Sequence, residues 1–117
     1  MAKYLVLIYG DEREWEAHSP EELAAKHAAH AAFAAAAGPA LVGGAQLEAS
    51  ATATTVRERV AGRAVPTDGP FPETKEVLGG YYLLEAPDLD TVIELAGRLP
   101  EIAESSGGIE IRPLVER

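Results

Sequence analysis

Apolar runs of strand length alternate along the chain with turn signals and with two helix-like stretches. Residues 4–9, YLVLIY, form a continuous β-prone run, which indicates a strand covered on both faces and central in its sheet. The stretch GDEREWEAHS that follows is expected to be a loop. Ser19, Pro20 and Glu22 then give a capping box with proline at the first helical position, so we expect a helix from Pro20 to about Ala37.

The rest of the chain predicts a series of short strands and one further helix. Ala61-Gly62 is expected to close a β-hairpin, and residues 66–72 are expected to form a turn-rich loop. Asp88 is the expected N-cap of the second helix, and Pro100 is expected to end it. The apolar positions of that helix are Leu89, Val92, Ile93, Ala96 and Leu99. Strands are predicted over residues 40–47, 51–60, 77–86 and 108–115, and residues 63–65 are expected to form the short returning arm of the hairpin.

The order of elements is β-α-β-β-β-α-β, with the additional strand in the middle hairpin. This order predicts one α+β domain over residues 1–117 of the ferredoxin-like type, an antiparallel sheet with both helices on one face. Because the strands are apolar without alternation, the other face of the sheet also needs a cover. The same face of a second copy is the simplest cover, and we therefore expect a homodimer.

Composition narrows the classes of function. The 117 residues include 10 Lys and Arg against 19 Asp and Glu, a net charge of −9, which argues against nucleic acid or an anionic membrane as a partner. The chain has no cysteine, so disulfides and thiolate metal sites are excluded. No apolar run is long enough for a signal peptide or a membrane span, and we expect a soluble, cytoplasmic protein.

The most specific stretch of the sequence is residues 67–90, TDGPFPETKEVLGGYYLLEAPDLD. Together with KYLVLIYGDE near the start, TATTVR at 52–57 and IEIRP at 109–113, it resembles the DGPF subgroup of the YCII-related family over nearly the whole chain. Pro72 and Val77 depart from the residues usual in that subgroup. The resemblance implies a ferredoxin-like homodimer of the dimeric α/β-barrel type, with apposed sheets and a cleft near the dimer interface.

Two histidines lie in the first predicted helix. At 100° per residue His27 and His30 share one face with Leu23 and Ala34. Either imidazole could act as a general acid or base in a cleft, and both could instead be hydrogen-bonded groups at a helix–sheet contact. The resemblance implies a His–Asp pair and favours His27, eleven residues before Gly38, as its histidine. No third ligand stands near this pair, so we expect no metal.

Asp68 opens the Asp-Gly-Pro-Phe motif and has two interpretations. In one, its carboxylate orients a histidine or binds a polar group of a substrate. In the other, it forms an Asx-turn in which Gly69 supplies a positive φ and Phe71 anchors the loop in the core. The paired glycines 43–44 and 79–80 are expected to allow a close approach of the backbone to a ligand or to a partner subunit.

Four residues are candidates for substrate binding: Asp11, Lys75, and the aromatic residues Phe71 and Tyr82. Lys75 could hold an anionic substrate, or belong to a solvated run of charges. Asp11 ends the first strand, where a cleft or a simple turn would explain it equally well. Several aromatic residues could line a pocket for an apolar or aromatic ligand: Tyr4, Tyr9, Trp15, Phe33, Phe71, Tyr81 and Tyr82.

Two functions of different classes follow from these observations. The first is a small-molecule enzyme, an acid–base lyase or isomerase that uses His27 or His30 with Asp68. Relatives in the resembled family include lyase- or isomerase-like enzymes of aromatic catabolism. The second is a non-catalytic ligand-binding or regulatory dimer, because members of the subgroup are often encoded beside extracytoplasmic-function sigma factors. In both, the partner is an unknown small molecule, and no cofactor is expected.

Overall fold

The computed structural model of the chain describes residues 1–69 and 76–116. Within these ranges the fold is mixed α+β, as the sequence predicts. The strands are β1 (Ala2–Gly10), β2 (Leu41–Gln46), β3 (Thr54–Val60), β4 (Arg63–Asp68), β5 (Val77–Ala86) and β6 (Gly108–Pro113). The helices are α1 (Glu12–Glu16), α2 (Pro20–Ala37) and α3 (Leu89–Ala96). No helix in the described residues is long and apolar enough to cross a membrane.

The main sheet is antiparallel and has the strand order β2-β5-β1-β6. This order, with two helical crossovers, is that of a ferredoxin-like fold, so the fold prediction is confirmed. The middle hairpin differs from the prediction, because β3 and β4 pair only with each other and form a separate two-stranded sheet. Its residues are mostly exposed on both faces. The hairpin therefore adds no strand to the sheet that supports the core.

The core lies between one face of the main sheet and helices α2 and α3. Along β1 the side chains alternate between buried and half-buried positions, so within the single chain one face is closed and the other is only partly covered. The prediction of a strand covered on both faces thus holds for one face alone. The buried apolar residues are Tyr4, Val6, Ile8, Phe33, Ala37, Leu84, Ala86, Val92, Ala96 and Leu99.

The starts of helices α2 and α3 were predicted from the residues at their N-caps. Ser19 and Glu22 form the predicted reciprocal capping box at the start of α2. The carboxylate of Asp88 accepts from the backbone N–H of Thr91 at 2.8 Å and caps α3 as predicted. The prediction of a loop after β1 was wrong, because that segment contains α1. Asp11 caps this short helix by accepting from the backbone N–H of Arg13 at 2.9 Å.

Several boundaries and faces also differ from the predictions. Helix α3 ends at Ala96, and Pro100 begins a short 3-10 turn, Pro100–Ala103, instead of ending the helix. Strand β4 continues to Asp68, where a loop was expected. Leu89 and Ile93, both assigned to the packed side of α3, are 45% and 51% exposed. At 100° per residue these two positions lie about 60° and 100° around the helix from the buried Val92, in opposite directions, at the edges of the apolar stripe that face solvent.

Candidate functional site

A cavity of about 600 Å³ opens between α2, α1 and the part of the sheet where β2 meets β5. Its size is typical of a site for a small organic molecule. Apolar walls come from Trp15, Leu23, Leu47 and Leu78. The polar side chains that line it include Glu12, Glu16, His18, Lys26, His27, His30, Gln46, Glu48, Tyr82 and Glu101.

His30 is held on both ring nitrogens at the wall of this cavity. Its Nε2 lies 2.8 Å from Oε2 of Glu101, and its Nδ1 lies 2.7 Å from the hydroxyl oxygen of Tyr82. Helix α2 supplies the imidazole, β5 supplies the phenol, and the 3-10 turn after α3 supplies the carboxylate. Three distant segments of the chain thus converge on one ring.

Glu101 is the most buried charged group among the described residues, with 2% of its surface exposed. Its Oε2 also lies 3.4 Å from Nζ of Lys26. Burial of this carboxyl favours a higher pKa, but the hydrogen bond and charge of His30 and the charge of Lys26 outweigh burial, so its pKa lies below the ordinary value. Oε1 of the same carboxylate has no hydrogen-bond partner among the described residues.

The ionised carboxylate determines which tautomer His30 takes. A carboxylate can only accept, so Nε2 of His30 must carry a proton and donate it. In the neutral imidazole Nδ1 is then bare and accepts from the hydroxyl of Tyr82. Burial, and next the negative charge of Glu101, raise the pKa of Tyr82 and keep its phenol protonated. The ring of Tyr82 packs against Phe33, with centroids 4.6 Å apart.

Lys26 extends the network to the side of the cavity that α1 covers. Its Nζ donates to Oε2 of Glu104 at 2.8 Å, and Oε1 of Glu104 accepts from Nε1 of Trp15 at 2.9 Å. The ammonium also lies 5.0 Å from the centroid of the Trp15 ring, within the range of a cation–π interaction. Trp15 therefore joins the apolar wall to the buried charges.

Two glycines make room for the Trp15 ring on the face of the sheet. A Cβ atom built on Gly10 or on Gly79 would lie 2.4 Å from the ring, closer than real Cβ atoms come to another heavy atom. Gly79 has no partner in β1, since Ile8 pairs with Gly80 and Tyr9 pairs with Leu78. It is the additional residue of a β-bulge. At Gly79 the close approach is thus made by a side chain of the same chain, and at Gly80 it is made by the backbone of Ala45 in β2.

A carboxylate of α1 ties that helix to the segment after β2, which also lines the cavity. Both oxygens of Glu12 accept from Ser50, one from its backbone N–H at 2.7 Å and the other from its hydroxyl. Glu14 accepts from the hydroxyl of Ser105 at 2.9 Å. Because no residue of α1 is buried, these polar contacts and Trp15 hold the helix over the cavity.

The structure separates the residues of the predicted His–Asp pair. His27 lines the cavity but is exposed, and its side chain makes no hydrogen bond or ion pair within residues 1–69 and 76–116. Asp68 lies at the end of β4, pairs through its backbone with Thr54, and is not among the residues that line the cavity. The carboxylate that contacts a histidine is Glu101, and the histidine is His30.

The other sequence candidates fall in different places. Tyr82 lies in the cavity and contacts His30, whereas Asp11 does not line the cavity and serves as the N-cap of α1. Gly69 has the predicted positive φ, +94°. Phe71 and Lys75 lie outside the described residues, so their assignments remain predictions. The described residues contain no group of three or more side chains arranged to hold a metal ion.

Sequence reasoning missed three members of this network, Lys26, Glu101 and Glu104, and named Trp15 only as one of several aromatic residues that could line a pocket. Glu101 is 71 positions from His30, so no local spacing could connect them. Phe33 and Ala37 define the buried face of α2, and His30 points toward the same side. Because the helix is rich in alanine, its sequence indicated this face only weakly. The one usable signal was that Trp15 is the only tryptophan, placed in a stretch assigned to a loop.

Comparison with known proteins identifies the family of the chain. A family model described as YCII-related domain matches residues 2–117 of the chain. The chain is also 37% identical over 118 residues to a protein of Rhizobium meliloti (strain 1021) that is named only as uncharacterized, and the alignment covers 95% of this chain and 90% of that protein. Both matches extend over nearly the whole sequence. The chain therefore belongs to the YCII-related family.

Proposed function

We propose that the protein catalyses acid–base proton transfer on a small molecule, as a lyase or isomerase, with His30 as the central proton carrier. The observation that supports this most is the imidazole held between the Glu101 carboxylate and the Tyr82 hydroxyl at the wall of an open cavity. A carboxylate, an imidazole and a hydroxyl are joined in a row by hydrogen bonds. This resembles the arrangement by which proteins orient and activate a proton acceptor.

The chemistry can be written as a relay through the phenol. A C–H or O–H proton of the substrate passes to the oxygen of Tyr82 as the Tyr82 proton passes to Nδ1 of His30. The resulting imidazolium is stabilised by the charge of Glu101, which stays ionised because its pKa is low. Reversal of the relay delivers a proton to a different atom of the substrate. The net result is an isomerisation, or an elimination when a leaving group departs.

The proposal can be tested without knowing the natural substrate. A panel of neutral ketones with acidic C–H groups is incubated with the protein in heavy water, and deuterium uptake is followed by proton NMR. We expect the wild-type protein to accelerate exchange for some members, and His30→Gln to lower the rate by about 10²–10⁴-fold. The matched control is His27→Gln, which removes the exposed imidazole of the same cavity and should retain most of the rate.

Two results would contradict this proposal. One is a panel in which the wild-type protein accelerates no exchange. The other is acceleration that survives His30→Gln unchanged and is lost in His27→Gln, which would return the role to the histidine favoured by the sequence.

A second candidate, a ligand-binding protein without turnover, is favoured by the way the network is satisfied. Lys26 and His30 both have protein partners, and such paired charges also occur in purely structural networks. Under this hypothesis the cavity binds a small molecule, and replacement of His30 changes stability and affinity with no exchange activity to lose. A regulatory dimer connected to a sigma-factor pathway would belong to this class.

We further propose that the chain forms a homodimer through the open face of its main sheet. Leu5, Leu7 and Leu83 alternate with the buried positions of β1 and β5 and are only half-buried in the single chain. A second copy placed by a two-fold axis would cover them. Light scattering at micromolar concentration should give about twice the 12.3 kDa mass of one chain, and the mass of a single chain would contradict the dimer.

Two finer assignments are proposed on the sequence alone. We place the chain in the DGPF subgroup of its family because residues 68–71 read Asp-Gly-Pro-Phe within the longer stretch at 67–90. We place the protein in the cytoplasm because the chain has no cysteine, which fits a reducing compartment. Fractionation of cells that produce the protein would test the second assignment, and recovery outside the cytoplasm would contradict it.

A further inference from the structure

We infer that the cavity selects a neutral or cationic ligand with an apolar body and a hydrogen-bond donor, and rejects carboxylates. The inference rests on the proposed function only in taking this cavity as the binding site. It concerns the chemical class of the ligand, which neither the family nor the relative assigns.

The charges around the cavity disfavour an anion. Four carboxylates line it, those of Glu12, Glu16, Glu48 and Glu101. Among the described lining residues, Lys26 is the only lysine or arginine, so the lining side chains carry a net charge of −3 when their histidines are neutral. An anionic ligand would approach more like charges than opposite ones in a partly desolvated space, where such repulsion is stronger than in bulk water.

The single cation is also already engaged. Nζ of Lys26 lies 2.8 Å from a Glu104 oxygen and 3.4 Å from a Glu101 oxygen, and only 15% of its side chain is exposed. To bind a carboxylate, a ligand would have to displace one of these partners and leave Glu101 or Glu104 without its counter-charge. Removing a partner from a buried charge is costly, so Lys26 is poorly placed to receive an anion.

In the described part of the chain, the buried wall of the cavity contains one unpaired hydrogen-bond acceptor. Oε1 of Glu101 has no partner among the described residues, and this side chain is 2% exposed. A buried carboxylate oxygen without a donor is unfavourable. A ligand hydroxyl, amine or amide N–H that reaches this carboxylate would supply the missing donor, whereas a second carboxylate would add another acceptor.

Most of the cavity surface is apolar. Leu23, Leu47 and Leu78 line it and are 44%, 40% and 36% exposed, which is unusual for large aliphatic side chains that share one concave surface. The indole of Trp15 forms part of the same wall. A ligand with a flat or compact apolar body would cover these side chains, and its donor group would point toward Glu101.

The test uses three probes of similar shape and different charge: benzylamine, benzyl alcohol and benzoate. Trp15 is the only tryptophan, so its fluorescence reports on the cavity directly. Titrations are run near pH ~8, above the ordinary imidazole pKa of ~6.5, to limit the positive charge of the histidines. We expect saturable signals for benzylamine and benzyl alcohol, with dissociation constants on the order of 1–10 mM for such small ligands, and binding of benzoate at least about tenfold weaker.

Variants connect the preference to its stated cause. In the double variant Glu16→Gln, Glu48→Gln, two exposed cavity carboxylates become neutral, and the discrimination against benzoate should shrink by a few-fold. The matched control is Glu94→Gln, an exposed carboxylate of α3 outside the cavity lining, which should leave it unchanged. The inference is overturned if benzoate binds as well as the other two, if no probe gives a saturable signal, or if the double variant retains full discrimination.

These outcomes are separate from those for the proposed function. Binding of the probes requires no turnover, and His30→Gln should keep the order of affinities while it abolishes deuterium exchange. Deuterium exchange without the expected order of probe affinities would support the proton relay and refute the proposed ligand class. The expected order of probe affinities without any deuterium exchange would support the ligand class and refute the proton relay.

Discussion

Two regions of the molecule differ in almost every physical respect. One is the hydrogen-bonded network beneath α2, which runs from Tyr82 to Trp15, and the other is the hairpin formed by β3 and β4. In the network, Glu101 is nearly fully buried, and every link from Tyr82 to Trp15 is a contact between distant parts of the chain. In the hairpin, Val56 and Val60 are 56% and 60% exposed, and pairing in the described residues is between the two strands themselves. The motif that is most recognisable in the sequence begins at the end of that hairpin.

This difference shows that a conspicuous motif and a chemically organised site need not coincide. Asp68 belongs to the motif but reaches no ionisable partner in the described part of the chain. Glu101 belongs to no motif, yet it is the carboxylate whose pKa the fold shifts through contacts with His30 and Lys26, against the opposing effect of burial. Sequence distance hides such a group, because the fold alone brings it to its partners.

The largest expected effect separates the two carboxylates directly. Glu101→Ala removes the counter-charge of Lys26 and His30 in a buried position, and we expect a loss of about 3–5 kcal/mol in the free energy of unfolding. Asp68→Ala, at an exposed position, should change it by no more than about 0.5 kcal/mol. Denaturant unfolding of both variants measures this, and similar losses would erase the contrast between the two regions.

An intermediate effect is expected where the network meets the sheet. Gly79→Ala would place a methyl group 2.4 Å from the Trp15 ring, so the ring must move, at a cost of about 1–3 kcal/mol. Gly43→Ala is the matched control, because its Cβ would lie 3.7 Å from the nearest atom, an ordinary contact. Tryptophan fluorescence should shift to longer wavelength in Gly79→Ala alone. An unchanged spectrum would place Trp15 away from the bulge.

The smallest expected effect is a pH dependence that belongs to Glu101. Burial favours a higher pKa for this carboxyl, but His30 and Lys26 outweigh it, so the folded pKa is below the unfolded value of about 4.3. The carboxylate therefore stabilises the fold above the unfolded pKa, and this contribution is lost as pH falls through the folded pKa. The stability advantage of wild type over Glu101→Gln should therefore shrink as pH falls from the unfolded pKa of about 4.3 through the folded pKa.

A charge-neutral change in the hairpin serves as the control for that experiment. Val60→Ala alters an exposed apolar residue of β3 and should give a difference from wild type that does not vary with pH. A Glu101→Gln difference that stayed constant down to the lowest pH would mean that the carboxylate is not stabilised in its charged form.

Local sequence signals predicted those parts of the fold that local chemistry determines. The capping box at Ser19 and the N-cap at Asp88 required only neighbouring residues, and β5 was predicted with its observed limits, Val77–Ala86. Helix α1 was missed because five residues with no buried side chain carry no apolar periodicity. The separation of the hairpin from the sheet was missed because β-branched residues predict a strand but not its pairing.

The candidate site was predictable only in part, for a related reason. His30 and Tyr82 were both named from the sequence, one for its position in the helix and the other for its aromatic ring. Which histidine contacts Tyr82 depends on the rotation of α2 about its own axis. In this alanine-rich helix only Phe33 and Ala37 mark the buried face, so the sequence did not decide between His30 and His27. Glu101 reaches the ring from a turn after α3, and no spacing rule connects these segments.

The most direct test of the account is NMR of the imidazole groups in uniformly ¹⁵N-labelled protein. The three histidines can be assigned by single replacements, and the exposed His27 provides an internal reference. We predict that His30 carries a proton on Nε2 that exchanges slowly with water and resonates far downfield, and that this resonance moves upfield in Glu101→Gln. A His30 ring whose N–H protons exchange as fast as those of His27, and whose spectrum ignores Glu101→Gln, would contradict the account.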